Sequence, residues 1–370
     1  MNARPENPRS TGENPRKRPN LESLTAGRGV AALMVAVYHS TLLWGGPFAA
    51  LGSFGWLGVT YFYVLSGFVL TWAFRPDRTT QEFFVHRFAR IYPLHLATLA
   101  ASLAAFLLIR SPLGGYVGTR LGTLASLFLV HGWIPEHPNI RQAWNGVSWS
   151  LSVEAFFYLL APWLIRGLSR MSTWKLVDLC LVLYMAYLVA GVFAFQRQID
   201  WLSDFLQYSP IARLPEFIYG IVAGIAFLRG VRFEISMGSK YLLLLPAVAY
   251  YAGTHHDTNP AVMITLIVPA CLTFILAGAT RDVERTASHV FDRAQRMVGE
   301  ASYSLYMTHA LLLGVMNGAL KRLHVDGPPT LKLFVFLALS LLLSLAVYHW
   351  YELPARRWVL RRFQRQRAPA

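Results

Sequence analysis

Glu154 stands seven residues into Val147–Ile165, an apolar run of the length that crosses a lipid bilayer. His39 is placed the same way within Arg28–Trp44, and His309 within Ala301–Leu320. A carboxylate or imidazole at bilayer depth is costly, roughly several kcal/mol, unless it faces a cavity or a partner, so such residues mark working sites. The runs predict an all-α, polytopic integral membrane helix bundle. The stranded groups point to chemistry inside the membrane.

Composition agrees. The 370 residues are 55% hydrophobic and 14% charged, against about 25% charged in an average globular domain. A net charge of +15 would suggest nucleic acid in a soluble protein. Here the basic residues cluster between apolar runs, where helix orientation and anionic lipid headgroups account for them, and no nucleic-acid partner is expected. Cys180 and Cys271 both fall in predicted spans, which argues against a disulfide framework. Residues 1–20 are polar and rich in Pro and Arg, and read as a disordered basic tail. The apolar run that follows has no small-residue cleavage site and reads as a retained first helix. Residues 21–356 form the expected membrane domain and 357–370 a basic C-terminal tail, with no soluble domain at either end and no metal site.

About ten spanning helices are predicted, over 26–45, 54–74, 91–110, 147–166, 176–195, 211–229, 240–254, 260–280, 301–320 and 331–352. With both termini in the cytoplasm, 26 of the 34 Lys and Arg fall on the cytoplasmic side. A further span at Leu121–Trp133 would send every later basic cluster outward. Residues 119–133 are therefore expected as a re-entrant or interfacial piece lying against protein or a water-filled cavity.

Several polar constellations sit on these helices. Arg28 and His39 are eleven residues apart, almost three turns, so they share a face and lie about 16 Å apart along the axis. Arg28 alone reads equally well as a snorkelling anchor. A mid-membrane imidazole such as His39 is suited to proton transfer. Arg87 and Arg90, in Phe83-Phe84-Val85-His86-Arg87-Phe88-Ala89-Arg90-Ile91-Tyr92-Pro93, share a face three residues apart. Two guanidiniums so placed can clamp phosphate in a bidentate way, although an amphipathic interfacial helix would look the same. Ser150, Glu154 and Tyr158, preceded by Trp149, follow i, i+4, i+8 spacing and form a polar stripe. Arg213 and Glu216 can pair locally, while Gly220 and Gly224 offer a small-residue face for close packing. Ser302, Tyr306 and His309 lie near one face of the ninth span. His309 fits either a polar contact in a cavity or a packing role. Ser66, between Leu65 and Gly67, has no neighbouring base and reads as packing.

Taken in order, these stretches resemble acyltransferase family 3, the bacterial multi-spanning O-acyltransferases of surface carbohydrates and some small molecules. The matching pieces are Arg28-Gly29-Val30-Ala31-Ala32 with His39, Gly55–Phe68, Arg87–Pro93, Ser148–Tyr158, Ser302–His309 and Tyr351-Glu352-Leu353-Pro354. The resemblance implies acyl-CoA, usually acetyl-CoA, as donor substrate on the cytoplasmic side, with no permanently bound cofactor. It also implies a bacterial inner-membrane location and a carbohydrate or glycolipid acceptor in cell-envelope polysaccharide modification. Thr25 and Thr308 depart from the pattern, standing where an acidic residue and a Trp are common. The extracytoplasmic esterase-like domain of some relatives is not expected here, so the module would complete transfer itself or hand the acyl group to a separate partner protein.

On this expectation His39 is the general base, and Glu154 orients the imidazole or the acceptor within one shared chamber. Arg87 and Arg90 hold the CoA phosphates, with Arg28 finishing the clamp. Trp149, Ser150, Tyr158, Arg213, Glu216, Tyr306 and His309 would contact substrate. An acyl-His intermediate and direct transfer both remain open. A proton-coupled transporter or flippase is the rival reading, against which stands the lack of repeated halves.

Overall fold

The computed structural model describes residues 18–109, 114–234, 237–254, 258–284 and 290–367. Among these every regular element is helical, apart from two isolated bridges, Gly114 to Asn145 and Tyr116 to Ala143. The principal helices are α1 (Glu22–Trp44), α2 (Gly58–Ala73), α3 (Thr80–Ile109), α4 (Arg120–Leu127), α5 (Trp149–Ser169), α6 (Thr173–Gln196) and α7 (Asp200–Tyr208). They continue as α8 (Leu214–Leu228), α9 (Leu245–Gly253), α10 (Pro260–Glu284), α11 (Val290–Glu300), α12 (Ser302–Arg322), α13 (Pro329–Val347) and α14 (Leu353–Arg367). Of the expected N-terminal tail, residues 1–17 lie outside the described residues.

Among the described residues seven segments are long and apolar enough to cross a membrane, where ten were expected. The three shortfalls have different reasons. Helix α8 is apolar but only 15 residues long. The run 240–254 is broken into Met237–Leu242 and the nine-residue α9. Helix α12 has 21 residues, but Ser302, Ser304, Thr308 and His309 fill its first half with polar groups. The seven segments make this a multi-pass membrane protein, and its side chains are sorted accordingly. Leu181, Val182, Met185, Val189 and Phe193 of α6 face outward, whereas His309, Arg213 and Glu216 are buried at 0%, 1% and 3% exposure. Lipid accepts the former, and only protein can satisfy the latter.

Lipid tails are as apolar as leucine, so helix association relies on close packing of small residues. The α2–α8 pair shows this. A methyl added at Gly67 would run into the Phe217 carbonyl, and one at Gly220 into the Val64 carbonyl, so the backbones meet directly. The packing reading of Gly220 and of the Gly67 region holds. Phe157 of α5 stacks on Phe217 at 4.8 Å and locks α5 to the same core.

Two local features place the site. Helix α3 is one continuous 30-residue helix with Pro93 inside it, so Arg87 and Arg90 lie on the spanning helix itself and not on a separate piece before it. Tyr303 and Tyr351 hydroxyls donate to the carbonyls of Ile91 and Pro93, at 2.6 and 3.1 Å, which tie α12 and the segment leading into α14 to this stretch of α3. Between α13 and α14 a π turn covers Tyr348–Glu352. It turns Glu352 inward, where Ser304 Oγ donates to its carboxylate at 2.6 Å. The helix then runs on to Arg367, past the expected span end at 352.

Residues 119–133 form α4 and a single 3-10 turn at His131–Trp133. Gly122, Ala125 and Ser126 face inward and Leu121, Leu124 and Phe128 outward. Tyr92 and His95 of α3 bond the carbonyls of Leu127 and Ser126 at 3.0 and 2.8 Å. On the other side Ser152 of α5 accepts from Gly132 N at 3.1 Å. Polar backbone without a long helix is thus satisfied by protein on both sides.

Candidate functional site

Two cavities lie between α1, α2, α5 and α12, and they differ in chemistry. The first encloses about 110 Å3 and brings together Arg28 of α1, Arg87 and Arg90 of α3, and Glu154 and Tyr158 of α5. The Tyr158 hydroxyl donates to the Glu154 carboxylate. Arg87 lies over the rings of Phe83 and Tyr158, 5.8 Å from each. Arg90 reaches Glu352 at 3.5 Å, an ion-pair distance that leaves Glu352 Oε1 without a hydrogen bond. Arg87 Nε and Arg90 Nη2 are also buried without a partner. An unmatched buried guanidinium N–H costs about 1–3 kcal/mol or more. Such atoms persist where a ligand supplies the acceptor, and three guanidiniums against Glu154 and Glu352 leave room for an anion.

The second cavity encloses about 230 Å3 and is lined by Tyr38 and His39 of α1, Trp149, Gln142, Tyr208 and Arg213, among others. His39 Nδ1 lies 2.9 Å from the Val35 carbonyl and 3.2 Å from Nε2 of His309. His309 Nδ1 lies 3.2 Å from the Leu305 carbonyl. Each Nδ1 therefore faces a carbonyl that needs an N–H. The assignment that satisfies both puts the proton on Nδ1 of each ring, with His39 Nδ1–H shared between Val35 O and His309 Nε2. This leaves Nε2 of His39 as an unprotonated acceptor on a cavity wall, the state a general base requires.

Arg213 adds no net charge here. It forms a bidentate pair with Glu216, its second contact Nη2 to Oε1 at 2.9 Å, and Nη2 also donates to Thr60 Oγ1 at 3.0 Å. Nη1 donates to the Gln207 carbonyl at 3.0 Å. The aromatic walls are rigid: Trp149 packs edge-on against Tyr208 at 4.8 Å, and Arg141 covers the other ring contact of Tyr208 at 3.7 Å. A neutral cavity with flat rings and amides suits an uncharged polar molecule.

Val59 and Tyr306 line both cavities. The Tyr306 hydroxyl is 2.7 Å from Ser150 Oγ and donates to the Val147 carbonyl at 3.2 Å. This small polar contact forms the partition between the arginine cavity and the histidine cavity.

The sequence-based site is therefore rearranged. Arg28 and His39 do share a face of α1, but they open onto different cavities. Glu154 does not orient His39: it faces the arginine cavity with Tyr158, and the imidazole's partner is His309. Periodicity within α5 could show the Ser150–Glu154–Tyr158 stripe but not which neighbour it meets. Glu216 lines neither cavity, because its carboxylate is taken up by Arg213. Ser66 lines the arginine cavity, where no histidine is among the lining residues. Trp149 reaches the histidine cavity, and His309 stands behind His39. Tyr38, Gln142, Tyr208, Tyr303 and Glu352 were not foreseen as site residues. Glu352 alone carried a signal, an acid at the end of an apolar run; Gln142 comes from an irregular segment with no periodicity to read.

Comparison with known proteins gives this geometry a family. Residues 21–349 match the family described as acyltransferase domain. Acyltransferase MdmB of Streptomyces mycarofaciens is 33% identical over 316 residues, covering 79% of each chain. The putative O-acetyltransferase SACOL0978 of Staphylococcus aureus is 23% identical over 366 residues, 92% of this chain but 57% of that protein, so the chain spans little more than half of this relative. A putative acetyltransferase, ORF330 of Acidianus two-tailed virus, is 27% identical over 301 residues, 78% of this chain and 83% of that one. No solved structure matches the chain. The match across nearly the whole membrane bundle, including both cavities, makes this chain a member of acyltransferase family 3, an enzyme that transfers acyl groups other than aminoacyl groups.

Proposed function

We propose that this protein moves an acyl group, acetyl in the simplest case, from acyl-CoA to a hydroxyl of a carbohydrate or glycolipid. The observation that carries the reading is the meeting of two unlike cavities at Tyr306: one cationic with unpartnered guanidinium N–H groups, the other neutral with an unprotonated imidazole nitrogen. With both termini in the cytoplasm of a bacterium, the arginine cavity opens inward from the inner membrane, where acyl-CoA is available.

In this reading Arg87 and Arg90 bind donor phosphate oxygens, and Arg28 with Glu154 and Tyr158 lines the path of the thioester arm. The acceptor stacks on Trp149 and Tyr208 with its hydroxyl at His39 Nε2. Nε2 takes the hydroxyl proton as the oxygen attacks the thioester carbonyl. The C–S bond then breaks, and the thiolate of CoA leaves and is protonated from the imidazolium. His309 shares the positive charge through its lone pair on Nε2, as an orienting group does behind any catalytic histidine.

The test is release of CoA from acyl-CoA by the purified protein together with mass spectrometry of the cell's surface glycans, with His39→Ala at matched membrane abundance. Loss of both signals in the variant supports the assignment. Full acylation by His39→Ala would remove the general base, and intact surface acylation in a deletion strain, with no CoA release by the purified protein, would remove the acyl-CoA reading.

A further inference from the structure

A third pocket adjoins the arginine cavity and was not foreseen from the sequence. It encloses about 90 Å3 at the turn between α2 and α3, and Arg75, Arg78, His86, Arg87, Arg166 and Phe83 contribute to its lining. Glu82 is the acidic residue on its wall. The basic groups crowd one another: His86 feels the charges of Arg87 and Arg78 as well as that of Glu82. Arg166 lies over the Phe74 ring at 5.2 Å, so a flat guanidinium–aromatic surface borders the same space.

Leu70 and Arg87 line both this pocket and the arginine cavity, which makes the two continuous at Arg87. The Nε of Arg87 is also buried without a partner. Along α2, Leu70 marks this junction and Val59 marks the partition with the histidine cavity. The eleven-residue step from one to the other spans about 16 Å of helix. A ligand anchored in the outer pocket must therefore send a narrow arm of that length to reach the acceptor.

Building on the acyl-CoA reading, we propose that the turn pocket is the subsite for the donor's nucleotide end. Arg75 and Arg78 bind the phosphate monoester on the ribose, the purine lies against the Phe74 and Phe83 surface, and Arg87 passes the diphosphate towards the arginine cavity. A dianionic monoester fits a cluster of forked donors better than a single diester charge does. The cluster stands outside the cavity where chemistry occurs, so it contributes affinity and donor selection without touching the reacting atoms.

The experiment measures binding of CoA and of 3′-dephospho-CoA to the purified protein in nanodiscs, with no acyl transfer involved. Wild type is expected to prefer CoA by about tenfold or more, the effect of losing one or two charge-assisted contacts. Arg75→Ala/Arg78→Ala is expected to weaken CoA to the level of 3′-dephospho-CoA and to leave the latter within about twofold. The single variant Arg78→Glu, at an exposed position, gives the same direction with little risk to folding. Equal binding of both nucleotides by wild type, or a preference that survives in the variants, overturns the subsite. Failure of either nucleotide to bind wild type overturns the acyl-CoA donor itself. Nanodiscs of phosphatidylcholine with and without phosphatidylglycerol separate the other source of phosphate. If the arginines serve lipid headgroups, the variants change only the response to phosphatidylglycerol and leave the nucleotide ratio intact, which also overturns the subsite.

Discussion

The arginine and histidine cavities both draw on α1, α2, α5 and α12 and share Val59 and Tyr306, yet they treat charge in opposite ways. In the arginine cavity Arg87 and Arg90 keep N–H groups without partners. In the histidine cavity the guanidinium of Arg213, the one among the described lining residues, is bound by Glu216, Thr60 and the Gln207 carbonyl. A charge left open attracts an anion, whereas a charge fully matched only fixes geometry. The difference teaches that an intramembrane arginine identifies a ligand site only when its hydrogen bonds are unfinished.

That contrast can be broken experimentally. The largest effect is expected from His39→Ala, which should lower acyl transfer by about 10²–10⁴-fold through loss of the base, while CoA binding measured by calorimetry stays unchanged. A fall in CoA affinity instead would mean that the cavities do not act separately. Glu216→Gln should leave the Arg213 charge uncompensated. Breaking a buried pair in this way typically costs about 3–5 kcal/mol, and a lower unfolding temperature in detergent is the readout. If that variant is as stable as wild type, the histidine cavity tolerates free charge and the distinction is lost.

Arg87→Ala and Arg90→Ala are expected to weaken CoA binding, each by about 1.5–3 kcal/mol for the lost charge-assisted hydrogen bonds. Unchanged affinity would make them lipid anchors. The smallest effect is expected of Tyr306→Phe. It removes the hydroxyl that meets Ser150, a contact worth about 1 kcal/mol, and should sharpen the comparison by raising acceptor-independent CoA release. A variant that releases no more CoA than wild type would show that the partition is held by packing alone.

How much of this could be read beforehand varied with the kind of interaction. The shared face of Arg28 and His39 and the stripe Ser150–Glu154–Tyr158 follow from helical periodicity and appear as expected. The span count did not follow as well, because polar residues at the start of α12 and the break between Met237–Leu242 and α9 reduce segments that a simple apolar window accepts. The expectation that Glu154 meets His39 rests only on both lying at bilayer depth. Depth along the membrane normal says nothing of the direction in which a side chain leaves its helix, and that direction put the carboxylate beside Tyr158 and the imidazole beside His309.

By itself the sequence determined that this chain spans a membrane by helices and carries ionisable groups within them, because hydrophobic run length and helical spacing are local properties. Only the tertiary structure decided which groups meet. The His39–His309 contact joins residues 270 positions apart, and the Arg90–Glu352 pair depends on a π turn that re-aims one carboxylate. Such contacts are set by how helices rotate and pack against one another, a property of the bundle that no single helix contains.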